Sequence, residues 1–94
     1  MIKNGIIERT SLFIENELVG LIQVRYNEYQ SQVFRVSPDD IKDILETVDI
    51  MSWEELPGTA IRVKATDEVI NEVGNFLEER WWKHDTGTID AEDK

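Results

Sequence analysis

The side chains that could do chemistry in this sequence are few. His84 is the only histidine and there is no cysteine, which excludes thiolate nucleophiles and zinc sites built on sulfur or on paired histidines. The serines have no base nearby in sequence, and the glycines are too scattered for a phosphate-binding loop. Asp39, Asp40 and Asp43 lack the alternating oxygens and closing glutamate of a calcium loop. We therefore predict no catalytic residue, no metal site, no cofactor and no enzymatic activity, with His84 as a solvent-exposed imidazole.

A row of carboxylates indicates binding instead. Asp39, Asp43 and Glu46 share one face of a predicted helix at positions i, i+4 and i+7, and successive charges rise by about 4.5 to 6 Å along its axis. That rise is not far from the phosphate spacing along a nucleic-acid strand. The row could therefore occupy the basic groove of a nucleic-acid-binding protein, or it could simply be a solvated face that keeps an acidic protein in solution.

Aromatic and cationic side chains offer a second kind of site. Trp81 could stack on a nucleobase, although tryptophan in a small domain usually closes a core edge or a subunit contact. Arg62, Lys64 and Arg80 are among the cations that could hold phosphates. Each of them could equally pair with one of the 20 acidic residues.

The length and the net charge of the chain limit the classes of function that it could have. The chain has 94 residues, enough for one small domain, and its net charge is -10. That charge argues against direct binding of DNA, RNA or an anionic membrane, because such contacts depend on lysine and arginine. No apolar run reaches the roughly 20 residues of a membrane span. We expect a cytoplasmic protein that forms a homo-oligomer, since small domains often need further burial of apolar surface.

The N-terminal part of the chain is predicted to form strands, which would help to position these residues. Alternating β-branched and aromatic residues predict strands over 6–14 and 18–26, joined as a hairpin through the polar break at Asn16. A third, shorter strand is predicted over 30–36. Asn16 suits such a turn because asparagine tolerates a left-handed backbone.

A helix over about 38–48 follows from local signals. Ser37 can cap the first free N–H groups, Pro38 suits the first helical position, and an apolar stripe recurs with helical spacing. Ser52 begins a second capping box, which predicts a short helical turn over about 52–56 that ends at Gly58.

The C-terminal third is ambiguous. Residues 59–65 alternate as a strand. Residues 67–80 carry a helical stripe, but Gly74 disfavours a helix interior, and 66–68 could be the turn of a hairpin. Residues 83–94 are polar and lack a stripe, so we expect one domain over 1–82 followed by a mobile acidic tail over 83–94.

Several segments resemble a family of small bacteriophage proteins. Residues 53–58 (WEELPG), 61–64 (IRVK) and 73–82 (VGNFLEERWW) run in that family's order, and residues 7–12 (IERTSL) are similar to its first strand. We associate the family with the Thoeris anti-defence proteins, which sequester cyclic-nucleotide-type immune signals. The resemblance implies a hairpin over 59–76, and so favours strand over helix there. The resulting expectation is an α+β fold with a small antiparallel sheet of about five strands, one main helix and one short helical turn.

The resemblance also implies a ligand and a site. The ligand is a cyclic nucleotide or an ADP-ribose-type signal, and a phage protein that sequesters it would act against host immunity. Phe34 would stack on the base and cations would hold the phosphates, which gives the candidate set Gln32, Phe34, Arg62, Lys64, Arg80 and Trp81.

One segment departs from the family pattern. The family carries a glycine-rich GSGQGFGG stretch where residues 29–35 read YQSQVFR, with a serine, a glutamine and a phenylalanine but no glycine. Glycine permits close approach of a ligand to the backbone. Either the ligand differs, or a protein target has replaced it. The alternative function is therefore an acidic inhibitor that imitates nucleic acid, in the manner of anti-CRISPR proteins, and docks through Asp39, Asp43 and Glu46 on a basic host defence protein.

Overall fold

The computed structural model of the protein describes residues 1–84, which form one antiparallel sheet, one α-helix and a short 3₁₀ turn. The strand order is β3-β2-β1-β4-β5-β6. The predicted α+β class is confirmed, with six strands in place of about five. In chain order the elements are β1 (Ile2–Glu15), β2 (Glu17–Arg25), β3 (Ser31–Val36), α1 (Pro38–Val48), the 3₁₀ turn (Trp53–Glu55), β4 (Ala60–Ala65), β5 (Ile70–Asn75) and β6 (Trp81–Lys83).

The core lies between α1 and one face of the sheet. Alternate residues of each strand point to this face, because successive side chains of a strand point to opposite sides. The sheet curls so that its two edge strands approach each other: the rings of Phe34 and Trp82 have their centroids 5.9 Å apart. The most completely buried side chains are Ile7, Ile22, Ile44, Leu56, Ile61, Val24, Val63 and Val73.

Helix α1 begins and ends where the sequence indicates. Pro38 occupies its first turn, and Asp49 ends it in a left-handed conformation with φ of 65°. The predicted cap by the Ser37 side chain was wrong: Ser37 has the extended backbone of a capping residue, but its hydroxyl donates to Asp40 Oδ2 at 3.1 Å. In the 3₁₀ turn, likewise, Ser52 makes no side-chain cap.

Strands β1 and β2 form a long hairpin, and only part of each strand pairs with the rest of the sheet. Asn16 forms its turn with φ of 69°, as the sequence predicts. β1 pairs with β4 only over residues 2–6, and β2 pairs with β3 only over residues 20–25. Residues 8–19 therefore extend past the end of β4, and 13–19 also extend past β3 as a two-stranded ribbon. We call residues 8–19 the arm.

The ambiguous segment forms β5, so the choice of strand over helix is confirmed. Thr66 closes the preceding turn, where its hydroxyl oxygen accepts the N–H groups of Glu68 and Val69. The sixth strand, β6, was not predicted; it extends to Lys83, and the His84 N–H donates to Asn71 O at 2.7 Å. From residue 85 onward the expected acidic tail lies outside the described residues.

Candidate functional site

A cleft of about 550 Å³ runs between the end of α1 and strand β6. Ligand pockets in proteins commonly measure about 300 to 1,000 Å³, so the volume suits a small organic ligand. We call it the α1–β6 cleft. Its walls combine carboxylates from the helix with aromatic and cationic residues from the strand, and the lining residues are Asp43, Glu46, Thr47, Arg80, Trp81, Trp82 and Lys83.

Asn75 holds the two walls of the cleft together. Its side chain is only 7% exposed, and its Nδ2 donates to Thr47 O at the end of α1 at 3.0 Å. Its Oδ1 accepts the N–H groups of Leu77 and Glu78, at 2.8 and 3.0 Å, in the loop before β6. The sequence analysis gave Asn75 no role in a site. The available signal was an asparagine between a strand and a polar loop, a position where its side chain often bonds to the backbone two residues on.

Arg80 adds a second link across the cleft. Its Nη1 donates to Glu46 O at 3.0 Å, and its Nη2 pairs with Glu78 Oε1 at 2.5 Å. Hydrogen bonding to the Glu78 carboxylate raises the pKa of Arg80. The guanidinium is thus held at the mouth of the cleft by a neighbouring carboxylate.

Trp81 lies on the sheet face opposite α1, against Gly74. A β-carbon at position 74 would lie 2.6 Å from Trp81 Cε3, so only glycine leaves room for the ring. The Arg62 guanidinium carbon and Lys64 Nζ lie 4.8 and 4.5 Å from the ring centroid, within cation–π range. The indole N–H donates to Glu79 Oε2 at 3.2 Å. The structure therefore brings three of the predicted ligand residues into one cluster.

The two cations of this cluster are already paired with carboxylates. Arg62 pairs with Glu79 at 2.9 Å, and Lys64 Nζ lies 3.5 Å from Glu72 Oε1. The hydrogen bond from the Trp81 indole, followed by that from Arg62, lowers the pKa of Glu79. A phosphate would have to displace these carboxylates. Lys83, by contrast, takes part in no ion pair within residues 1–84 and lines the α1–β6 cleft.

The other two predicted ligand residues lie elsewhere. Phe34 is only 5% exposed and packs in the core against Trp82, so little of its ring is open to the base that was predicted to stack on it. Gln32 lines a separate pocket: its Oε1 accepts from the Tyr26 hydroxyl at 2.5 Å, and its Nε2 donates to Thr66 O at 3.0 Å. Burial raises the pKa of Tyr26 to about 12.

The acidic row and the cleft share residues. Asp39, Asp43 and Glu46 are exposed on α1, and Glu46 Oε2 accepts from Lys42 Nζ at 2.8 Å. Neither Asp39 nor Asp43 forms an ion pair with any described residue. Asp43 and Glu46 line the cleft together with Arg80 and Trp81. The acidic row and part of the predicted nucleotide-binding set, which were predicted as separate sites, therefore lie next to each other.

His84 is not the freely exposed imidazole that was expected. It is partly buried, its ring lies edge-on to Phe34 and Trp82, and its Nε2 is 2.7 Å from Arg35 O. These contacts connect the end of β6 to β3, so His84 helps to hold the sheet edges together.

Comparisons of the chain with protein-family models, with curated proteins and with solved structures gave no match. In the part of the chain that the structure describes, no group of three or more histidine, cysteine, aspartate or glutamate residues could hold a metal ion. No helix within residues 1–84 has the length and apolarity to cross a membrane.

Proposed function

We propose that this protein is a non-enzymatic binding protein that sequesters a nucleotide-type ligand in the α1–β6 cleft. The observation that carries the proposal is the composition of the cleft, which combines carboxylates, aromatic rings and a lysine without an ion pair inside residues 1–84 in one space of about 550 Å³. A nucleotide offers a partner for each, since it has phosphates, hydroxyl and amino donors, and a planar base.

The residues divide the recognition between them. Lys83 would bind phosphate directly, and Arg80 would exchange part of its contact with Glu78 for the ligand. Asp43 and Glu46 would accept hydrogen bonds from ribose hydroxyls or base amino groups, and Trp81 would border the base. Charged donors and acceptors form the stronger class of hydrogen bonds.

The family resemblance supplies the biological setting of the proposal. A phage protein that holds a cyclic nucleotide or ADP-ribose-type signal in the host cytoplasm would lower its free concentration and so weaken the immune response. Sequestration needs no turnover. It requires only affinity and enough protein to bind most of the signal.

Thermal unfolding with a panel of cyclic and ADP-ribose-type nucleotides tests the proposal. A ligand present at 100 times its dissociation constant should add about 2.7 kcal/mol to the stability of the folded state. Lys83→Glu should abolish that gain. Arg9→Glu is the matched control, because Arg9 is also exposed and unpaired in residues 1–84 but lies outside the cleft. No stabilisation by any nucleotide at millimolar concentration would refute the proposal.

A second candidate function is docking of α1 on a basic defence protein that normally binds nucleic acid. The observation that favours it is that Asp39 and Asp43 are exposed and unpaired within residues 1–84, on a protein of net charge -10. Such docking should be fast and sensitive to salt.

Capture of host proteins by the immobilised chain tests this second candidate. The Asp39→Lys, Asp43→Lys, Glu46→Lys variant should lose the captured protein, and the same change at the exposed Glu17 should not. Asp39 lies outside the cleft lining, so Asp39→Lys alone should weaken protein capture while leaving nucleotide binding unchanged.

A further inference from the structure

The arm carries a strand edge with no neighbour in the described fold. From Arg9 to Glu15, β1 pairs with β2 on one side, whereas its pairing with β4 on the other side ends at Ile6. Along this edge, alternate residues present backbone N–H and C=O groups that no strand within residues 1–84 satisfies. A long, free and partly apolar edge is a template for pairing with another chain.

The arm also exposes apolar side chains on one face. Leu12, Ile14 and Leu18 are 47%, 78% and 42% exposed. They continue the core-facing side of the sheet, because Leu12 pairs with Gly20, where an added β-carbon would lie 2.9 Å from Trp53 and 3.5 Å from Leu12. The apolar core thus extends onto the arm without a covering element in the described chain.

Two charged residues on β1 indicate which partner could pair with this free edge. Arg9 is the one arginine of residues 1–84 without an ion pair, and it is exposed. Glu15 lies six positions along the strand on the same face, where its carboxylate contacts the exposed Arg35 at 2.6 Å. Opposite charges at equal distances from Leu12 make the edge complementary to itself under a two-fold axis.

We propose that a second copy of this chain adds to the β1 edge of the arm in antiparallel orientation, with Leu12 opposite the partner's Leu12. In this register Arg9 faces the partner's Glu15, and Ile14 faces the partner's Thr10. The two arms form one continuous sheet whose apolar faces lie on the same side. This pairing satisfies the backbone groups that lack a strand partner within residues 1–84, and it places the partner's Glu15 opposite each Arg9.

Sedimentation equilibrium measures the association. The wild-type protein should be a dimer at micromolar concentration, and Arg9→Glu should weaken dimerisation by about tenfold or more, since it places like charges opposite each other at two symmetric positions. Adding Glu15→Arg to that variant should restore the dimer. Lys83→Glu makes the same change of charge away from the arm and should leave the dimer intact. A wild-type protein that stays monomeric at 200 µM, or an Arg9→Glu variant that dimerises normally, would overturn the proposal.

Cross-linking tests the register independently of affinity. The chain has no cysteine, so Leu12→Cys introduces a single thiol that lies opposite its own copy and should form a disulfide-linked dimer on oxidation. In the same register two Ile14 positions are about 13 Å apart along the ribbon, beyond disulfide reach. Ile14→Cys should therefore cross-link at least tenfold more slowly. Equal rates for the two variants, both shown to be folded by circular dichroism, would exclude this pairing.

Discussion

Replacing Asn75 with alanine should lower the free energy of unfolding by about 3 kcal/mol. Three hydrogen bonds end on this buried side chain, two from the N–H groups of Leu77 and Glu78 and one to Thr47 O. A hydrogen bond of this kind contributes about 1 kcal/mol, and buried groups that lose their partner add to the penalty. The same bonds fix the end of α1 against the loop before β6, so the change should also weaken any ligand bound in the cleft.

Thermal and urea unfolding followed by tryptophan fluorescence measure this effect. For a domain of this size, about 3 kcal/mol corresponds to a fall in Tm of roughly 12 to 24 °C. Asn71→Ala is the matched control, because Asn71 lies on the same strand but is exposed; its stability should stay within about 0.5 kcal/mol of wild type. If the Asn75 variant were as stable as the Asn71 variant, the proposed link between helix and loop would be wrong.

Three further predictions follow from packing and from proton binding. Gly74→Ala should destabilise the fold by about 1 to 3 kcal/mol and shift the tryptophan emission spectrum, because the new methyl group would meet the Trp81 ring at 2.6 Å; an unchanged spectrum would contradict this. Leu56→Ala should cost about 2 to 5 kcal/mol in urea unfolding, since Leu56 is fully buried; a loss below 1 kcal/mol would mean that the site collapses or was never packed. Burial raises the pKa of Tyr26 from 10.0 to about 12, so the folded state keeps this proton after an unfolded chain has lost it. Stability should therefore fall as pH rises through that interval, more steeply than in Tyr26→Phe; equal slopes would show that Tyr26 titrates normally.

Local signals were enough to predict most of the elements. Pro38 and the apolar stripe predict α1, and Asn16 predicts the hairpin turn, because each depends only on residues close in sequence. Strand β6 was missed because three residues carry too little pattern, and its pairing with β5 depends on Gly74 making room for Trp81.

The site was harder to predict, because its contacts join distant parts of the chain. From the sequence, the Phe34 ring was predicted to be accessible to a ligand. The curl of the sheet instead places it against Trp82 in the core. Arg62 on β4 pairs with Glu79 in the loop before β6, and the bond from Asn75 to Thr47 joins β5 to α1. No local pattern indicates such partners, whereas the acidic row on α1 follows directly from helical spacing.

The most direct test of the central claim locates the ligand by NMR. The protein has three tryptophans, so its spectrum should show one indole N–H signal from each. Titration with cyclic and ADP-ribose-type nucleotides should shift the signals of Trp81 and Trp82, which line the α1–β6 cleft, and leave that of Trp53 unchanged. Nucleotide binding that leaves both cleft signals in place, or no binding by any member of the panel, would contradict the account.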